Sequence, residues 1–278
     1  MTDGFDWDWL GTDRLIYASL GTLQNGQERL YQTIVDACEG LPEKVVLATN
    51  AWASAIPELR RHMYVVASQV IATAEIPAKL DALGWKDGLS ICDAQHQVLY
   101  YQRTPKGRVI FGRGSGEIAY GDNFGADFNR SPLRGRDNRR ELHRVYPALR
   151  DVAVDYDWSG PIDCTPEHVP VFDHLKGHPN IFFGIGFNGT GIAQTPIGGH
   201  ILASLALEKK DRWSESGLVG LKRRSTLPPE PIRYLGAKLV RAAIRRKNDA
   251  EIRNETPGAL TRLLAGLTPG NHKKSSPE

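Results

Sequence analysis

The stretch from Asn180 to Pro196, Asn-Ile-Phe-Phe-Gly-Ile-Gly-Phe-Asn-Gly-Thr-Gly-Ile-Ala-Gln-Thr-Pro, constrains the fold more than any other part of the chain. A short apolar run feeds a loop with glycines at 184, 186, 189 and 191, and a helix pattern follows. Glycine at that density lets backbone N–H groups approach a ligand that side chains would block. The spacing from Gly184 to Gly189 fits G-x-G-x-x-G, in which a dinucleotide pyrophosphate sits on the first turn of a Rossmann helix. The surroundings fit that reading poorly. A Rossmann helix begins inside the motif, whereas Gly191 and Pro196 postpone it; Thr195-Pro196 reads as N-cap and first helical residue, with Ile197, Ile201, Leu202 and Leu205 as the buried stripe. No second strand ending in Asp or Glu follows at the distance a ribose requires. A free-standing nicotinamide site and a plain structural turn stand beside a ligand loop of another kind.

Composition narrows the choice. Single cores stop growing at about 250 to 300 residues, so a chain of 278 is expected to hold two domains. Its apolar share of 41% suits a soluble globular protein, and no run approaches the roughly 20 apolar residues of a membrane span. The amino terminus is acidic and aromatic where a secretion signal is basic and then apolar, which makes the cytoplasm the expected compartment. Cys38, Cys92 and Cys164 are odd in number and unrelated in spacing, as reduced thiols are. Cys164, His168, His174 and His178 are interrupted by Pro166, Pro170 and Pro179 and form no finger or helical ligand pattern, so no metal is expected. The net charge of +3 is modest and its basic residues gather near the carboxyl end, which argues against nucleic acid as a partner.

Along the chain, Glu28 to Cys38 has helical spacing, and Lys44 to Asn50 reads as a buried parallel strand ending in a polar loop, the place where ligands gather in α/β sheets. From His62 the texture is β-rich. Met63 to Thr73 reads as one strand, and Val98 to Gln102 pairs with Arg108 to Gly112 across Thr104 to Gly107 as a hairpin. Val98, Tyr100 and Gln102 share one face of its first arm, and Leu99, Tyr101 and Arg103 the other; one face could line a pocket. Residues 136 to 150 read as a helix with Leu142, Val145, Tyr146 and Leu149 inward and Arg139, Arg140 and Arg144 solvated. Beyond Asp155 the chain returns to the sheet it left near residue 60, which implies an inserted domain. Pro231 to Lys247 is a basic helix pattern with Leu235, Leu239, Val240 and Ile244 on its packing side, and residues 268 to 278 read as a tail.

The ordered set Val45-Val-Leu-Ala-Thr-Asn-Ala-Trp52, Tyr100-Tyr-Gln-Arg-Thr-Pro-Lys-Gly107, Trp158-Ser-Gly160 and the Gly184 to Gly191 loop resembles the D-amino-acid-oxidase-like family of FAD-dependent oxidoreductases, most of all its gamma-glutamylputrescine oxidoreductase branch. The resemblance runs from about Lys44 to about Lys247. It implies a mixed α/β fold: an incomplete FAD-binding Rossmann-like domain, residues 44–60 and 156–210, with an antiparallel β-rich substrate domain inserted at 61–155. Residues 1–43 form an atypical amino-terminal segment and 211–278 a helical extension and tail. The resemblance places Ala48, Thr49, Asn50 and Trp52 near the nucleotide side of FAD. It places Gly186, Phe187, Asn188, Gly189, Thr190, Gly191 and Ile192 at the pyrimidine edge of the flavin. Gly160 stands where some members carry the cysteine that bonds the flavin, which implies noncovalent FAD. Ala193 stands at a lysine used with oxygen, and Ile162 at an arginine that holds a substrate carboxylate.

The implied activity is oxidation of a C–N bond of a small-molecule amine or amino-acid derivative by hydride transfer to the flavin, with a gamma-glutamylputrescine-like compound among the substrates the resemblance allows. The family's chemistry singles out no catalytic side chain here, and Tyr101 and Arg103 are the candidates for the substrate pocket. The family opens with a strand, a glycine turn and an acidic residue, and the forty-odd residues before Lys44 show neither that strand nor those glycines. The chain therefore reads as the carboxyl-terminal two-thirds of a flavoenzyme. The alternative is a non-catalytic remnant or a subunit whose partner completes the FAD site by association through the incomplete sheet.

Overall fold

A computed structural model describes residues 15–18, 33, 35–37, 43–95, 97–114, 116–124, 128, 132–220 and 227–268. The chain divides into two compact units, residues 1–64 with 162–227 and residues 65–161 with 228–278. It crosses between them after Tyr64, Pro161 and Leu227.

The first unit is built on a four-stranded sheet in the order β1 (Leu15–Ala18), β2 (Lys44–Leu47), β9 (His178–Ile185) and β8 (Val171–Leu175). β1, β2 and β9 are parallel and β8 runs antiparallel to β9. β1 corrects the expectation that no strand precedes Lys44: it pairs with β2 from Leu15↔Lys44 to Ala18↔Leu47. Four residues are too short a run to show a period, so the strand is invisible without its partner. Parallel neighbours need a crossover, and Thr33 and Val35 to Ala37 are helical between them; the rest of the helix expected over Glu28 to Cys38 lies outside the described residues. Helix α4 (Gly191–Ala206) packs on this sheet, and Ile201, Leu202 and Ala206 meet Phe172 and Phe182.

α4 begins earlier than its sequence suggests, with Thr190 as N-cap and Pro196 inside the helix. A proline there leaves the Ile192 carbonyl without its i+4 amide, and the Thr195 hydroxyl, 3.5 Å away, takes that place. The buried stripe shifts accordingly: Gly198, Ile201 and Leu202 are inside, and Ile197 is exposed.

The second unit holds a five-stranded sheet in the order β4 (Ser90–Cys92), β5 (Leu99–Arg103), β6 (Val109–Arg113), β3 (Tyr64–Thr73) and β7 (Val154–Cys164), whose last three residues belong to the first unit. The β5–β6 hairpin is antiparallel from Leu99↔Arg113 to Arg103↔Val109. Its turn is closed by Gly107 N–H donating to Thr104 O (2.9 Å) and Arg108 N–H donating to the Thr104 hydroxyl (3.0 Å). Strict alternation along β3 buries Val65, Ala67, Gln69 and Ile71. One face packs Ile71, Leu99, Val109 and Phe111 against Leu142 of α3 (Pro132–Val145) and Leu80 of α2 (Pro77–Ala82), while the one-turn α1 (Pro57–Arg60) belongs to the first unit. The other face carries half-buried Val66, Ser68, Val70, Tyr100 and Ile110. Helices α5 (Ile232–Ile252) and α6 (Ala259–Ala265) complete this unit, joined through Ala243, Ile244 and Ala265. Leu235 and Leu239, expected on the packing side of α5, are exposed, because α6 meets only its second half. No described helix is long and apolar enough to cross a membrane.

Candidate functional site

Strands β2 and β9 run parallel in the register Leu47↔Phe183, so the chain leaves both at the same sheet edge. Residues 48–52 follow one strand and residues 186–192 the other. Such an edge is where α/β sheets gather ligands.

After β2 the chain enters a 3-10 helix, Asn50–Ala55, with Thr49 at its N-cap. Threonine at that position usually accepts a backbone N–H, yet the Thr49 side chain makes no capping bond. Its hydroxyl is buried and has no hydrogen-bond partner among the described residues. Ala48 and Asn50 are exposed beside it, while Trp52 is buried in the turn, only 5% exposed. Asn50 takes a left-handed backbone (φ 49°) and its side-chain oxygen accepts the Asp163 N–H at 3.3 Å.

After β9 the glycines divide the work. Gly186 (φ 81°) and Gly189 (φ 83°) turn the chain in conformations that suit residues without a Cβ. A Cβ on Gly186 would stand 2.3 Å from Thr165 Cγ2, and one on Gly189 3.3 Å from Ile162 Cδ1. Asn188 (φ 53°) locks the loop from inside. Its backbone N–H donates to Asp163 O (3.0 Å), its side-chain oxygen accepts the Thr165 N–H (3.0 Å), and its side-chain nitrogen donates to Gly186 O. The Thr190 hydroxyl turns back to Phe187 O at 2.9 Å, and the Phe187 ring meets Phe172 edge-on at 5.9 Å. What remains open is Gly189, Thr190 and Ile192, the last 96% exposed. The first-turn amides of α4 at Gly191 and Ile192 point out of a helix terminus, where no carbonyl of the helix reaches them.

Asp163 is the residue that sequence reasoning missed. It is 1% exposed, and its carboxylate accepts the Gly186 N–H at 2.5 Å, so it ties the glycine loop to the Asn50 turn through main chain and side chain together. Burial pushes its carboxyl up to about 6, while the Gly186 and Phe187 amides pull the other way. Its neighbour Cys164 is a buried free thiol; burial, then the Asp163 charge, pushes it up to about 12, and a Tyr64 hydrogen bond offsets part of this. A thiol so shifted is unreactive. A second missed group is Gln194 on the first turn of α4, whose buried side-chain oxygen has no partner among the described residues. Neither residue carries a sequence signal, since an acid or amide amid apolar neighbours reads as a surface position.

The remaining expected residues lie in the second unit. Gly160 is in β7 with open space where a Cβ would stand. Tyr101 is held by that unit's own core, stacked on Phe111 (5.3 Å) and edge-on to Trp85 and Tyr146. Arg103 donates to Asp81 at 2.6 Å and to Trp85 O. It is Tyr100 that takes the open sheet face, with its hydroxyl 2.6 Å from Ser68 Oγ.

Comparison with known proteins agrees with this geometry. Residues 21–205 match the family model described as FAD dependent oxidoreductase (DAO). The chain belongs to that family. Family members similar to it include a probable oxidoreductase, OrdL, of Haemophilus influenzae, 29% identical over 204 residues that make up 72% of this chain and 43% of the relative. The gamma-glutamylputrescine oxidoreductase of Escherichia coli is 26% identical over 171 residues, 61% of this chain and 38% of that protein. Among solved structures, glycine oxidase from Geobacillus kaustophilus superposes with a TM-score of 0.53 at 18% identity, over 66% of this chain and 46% of the other, which is a likeness of fold. The chain spans less than half the length of each of these proteins. FAD is the cofactor of the family, and the residues at the sheet edge fit it: an orphaned buried hydroxyl at Thr49, outward amides at Gly191 and Ile192, and an exposed Ile192 that a bound ring system would cover.

Proposed function

We propose that this chain carries the carboxyl-terminal part of an amine-oxidizing flavoenzyme, acting on a C–N bond of a small amine or amino-acid derivative of the gamma-glutamylputrescine kind. The observation that carries the proposal is the shared sheet edge, where a buried Thr49 hydroxyl without a partner among the described residues and the exposed Gly189, Thr190 and Ile192 follow two parallel strands within one unit of a family that uses FAD. The chemistry FAD supplies when bound is acceptance of a hydride from the carbon bearing the amine nitrogen. Thr49 and Asn50 would hold the nucleotide side, with the Thr49 hydroxyl gaining the partner it lacks. The amides of Gly191 and Ile192, at the positive end of α4, suit an electron-rich ring edge that gathers negative charge on reduction. Asp163 and Asn188 act one layer beneath, holding the loop so that those amides stay outward. Gly160 offers no side chain for covalent attachment, which supports noncovalent binding.

The test is the visible absorption spectrum of the 278-residue protein before and after incubation with FAD and removal of free cofactor, followed by anaerobic addition of gamma-glutamylputrescine. A retained flavin spectrum that the amine bleaches supports the full proposal. Retention without bleaching rejects that substrate and leaves the cofactor site standing. A colourless protein rejects FAD binding by this chain alone and favours a subunit whose partner completes the site.

A further inference from the structure

Six arginines from three elements line a cleft of about 650 Å³ in the second unit: Arg136, Arg139, Arg140 and Arg144 of α3, Arg150 from the segment after it, and Arg253 just past α5. The lining carboxylates are Glu141 and Asp249. Glu141 is already divided among Arg144 (2.8 Å), Arg140 (3.7 Å) and Arg113 (3.9 Å), and Arg253 is paired with Glu255 at 2.9 Å. Asp137, which faces Arg140 at 3.5 Å, is also bound by Arg245, a contact that pins α5 to α3. Arg136, Arg139 and Arg150 have no carboxylate partner among the described residues.

Such a concentration of charge opposes folding. Arg136 and Arg140, then Arg140 and Arg144, stand four residues apart on one helix, the spacing at which like charges repel. His143 sits with them: burial, then the Arg139 and Arg150 guanidiniums, lowers its proton affinity, and its Nε2 is buried without a partner among the described residues. Helix dipoles give a structural reason for Arg144 in the last turn of α3 and for Arg253 at the end of α5. They give none for Arg136, Arg139 and Arg150.

We propose that this cleft binds a compact polyanion bearing two or more phosphate groups, with Arg136, Arg139 and Arg150 as its primary contacts. Guanidinium forks match phosphate oxygens two at a time, which a point charge does not. The volume lies within the roughly 300 to 1,000 Å³ of small-ligand sites. Among the lining residues Ile252 is the apolar one and none is Phe, Tyr or Trp, which leaves the half-buried His143 imidazole as the one ring among them. A free polyphosphate and a phosphoinositide headgroup share this chemistry. The proposal is independent of the flavin reading, whose residues from Ala48 to Trp52 and Gly186 to Ile192 lie in the first unit and whose Gly160 is not among the lining residues.

Calorimetric titration of the 278-residue protein with inorganic tripolyphosphate tests it, with sulfate as the single-anion comparison and Arg61→Ala, an exposed arginine of the first unit, as the control. The expected result is one saturable site, weaker for sulfate and weakened by salt. Each charge-assisted contact is worth about ten-fold, so Arg139→Ala/Arg150→Ala should bind about 100-fold more weakly and Arg61→Ala as the parent does. Absence of saturable binding, an unchanged double variant, or an equal loss in Arg61→Ala overturns the proposal. Should circular dichroism show the double variant unfolded, phenylglyoxal modification of the parent protein decides: protection of Arg139 and Arg150 but not Arg61 by tripolyphosphate supports the site, and equal modification refutes it. Capture by phosphatidylcholine vesicles containing phosphatidylinositol bisphosphate, lost in the double variant, identifies the headgroup as the source; tripolyphosphate binding without vesicle capture identifies a soluble ligand.

Discussion

Asp163→Asn removes one buried charge from beneath the glycine loop and leaves an oxygen for the Gly186 amide. In the folded chain burial raises the Asp163 carboxyl from 3.8 to about 6, against the pull of the Gly186 and Phe187 amides. The folded state therefore holds the proton more tightly than the unfolded one. Stability from this group is complete below its unfolded value, declines as pH rises, and is gone above its folded value. The displacement amounts to about 3 kcal/mol at full effect, a large fraction of the roughly 5 to 15 kcal/mol that holds a domain together. Asparagine cannot ionise, so the variant escapes this loss, although its weaker hydrogen bond to Gly186 costs a constant amount at every pH. The readout is therefore the difference between variant and parent across pH. Asp151, Glu208, Asp211 and Glu255 are shifted the opposite way by their hydrogen bonds and ion pairs, and lose stability toward acid. They are common to both proteins and cancel in the difference. Urea midpoints followed by tryptophan fluorescence should show the variant gaining on the parent by about 3 kcal/mol between about pH 4 and 7. A difference that stays flat over that range would refute the assignment of a buried, proton-binding carboxyl to this position.

Gly186→Ala forces a Cβ into a left-handed turn 2.3 Å from Thr165 Cγ2 and should lower stability by about 2 to 4 kcal/mol in a urea melt, whereas Gly160→Ala, with open space around it, should change little. Thr49→Val replaces an unpartnered buried hydroxyl by a methyl, so apo stability should hold or rise slightly while FAD retention falls; unchanged retention would release Thr49 from the cofactor site. Pro196→Ala restores an amide for the Ile192 carbonyl and should stabilise α4 by about 2 kcal/mol in thermal unfolding, after allowing for the looser unfolded chain.

Elements with their own period were legible in the sequence. The β5–β6 hairpin lies within a residue of its expected place because Thr104 to Gly107 carries its own turn chemistry, and β2 reads as a short apolar run ending in a polar turn. Features that depend on a partner were not. β1 exists because Lys44–Leu47 stands beside it. The exposure of Leu235 and Leu239 depends on where α6 docks, and the gathering of Arg136 to Arg144 with Arg150 and Arg253 depends on three elements folding together. Asp163 is the sharpest case, since its burial follows from a loop that returns to it more than twenty residues later.

The division of labour among the glycines explains why a G-x-G-x-x-G spacing here does not make a pyrophosphate cradle. In a Rossmann fingerprint the glycines bring backbone against the phosphates at the first turn of the helix. Here Gly184 is fully covered, and a Cβ on it would stand 2.9 Å from the Phe172 ring and 3.3 Å from Leu202; Gly198 of α4 meets the same ring at 3.0 Å. These two glycines let helix and sheet close on Phe172, and a residue committed to that contact is not available to a ligand. Gly186 is buried over Asp163 and Thr165. Phe187 and Asn188 are half-buried, Gly189 is the first exposed residue of the loop, and by then the chain is entering α4. So short an exposed segment, backed by a helix terminus, offers a few amides but no cradle of glycines around a diphosphate. The same spacing thus serves a different contact, because packing has already claimed the glycines that a phosphate would need.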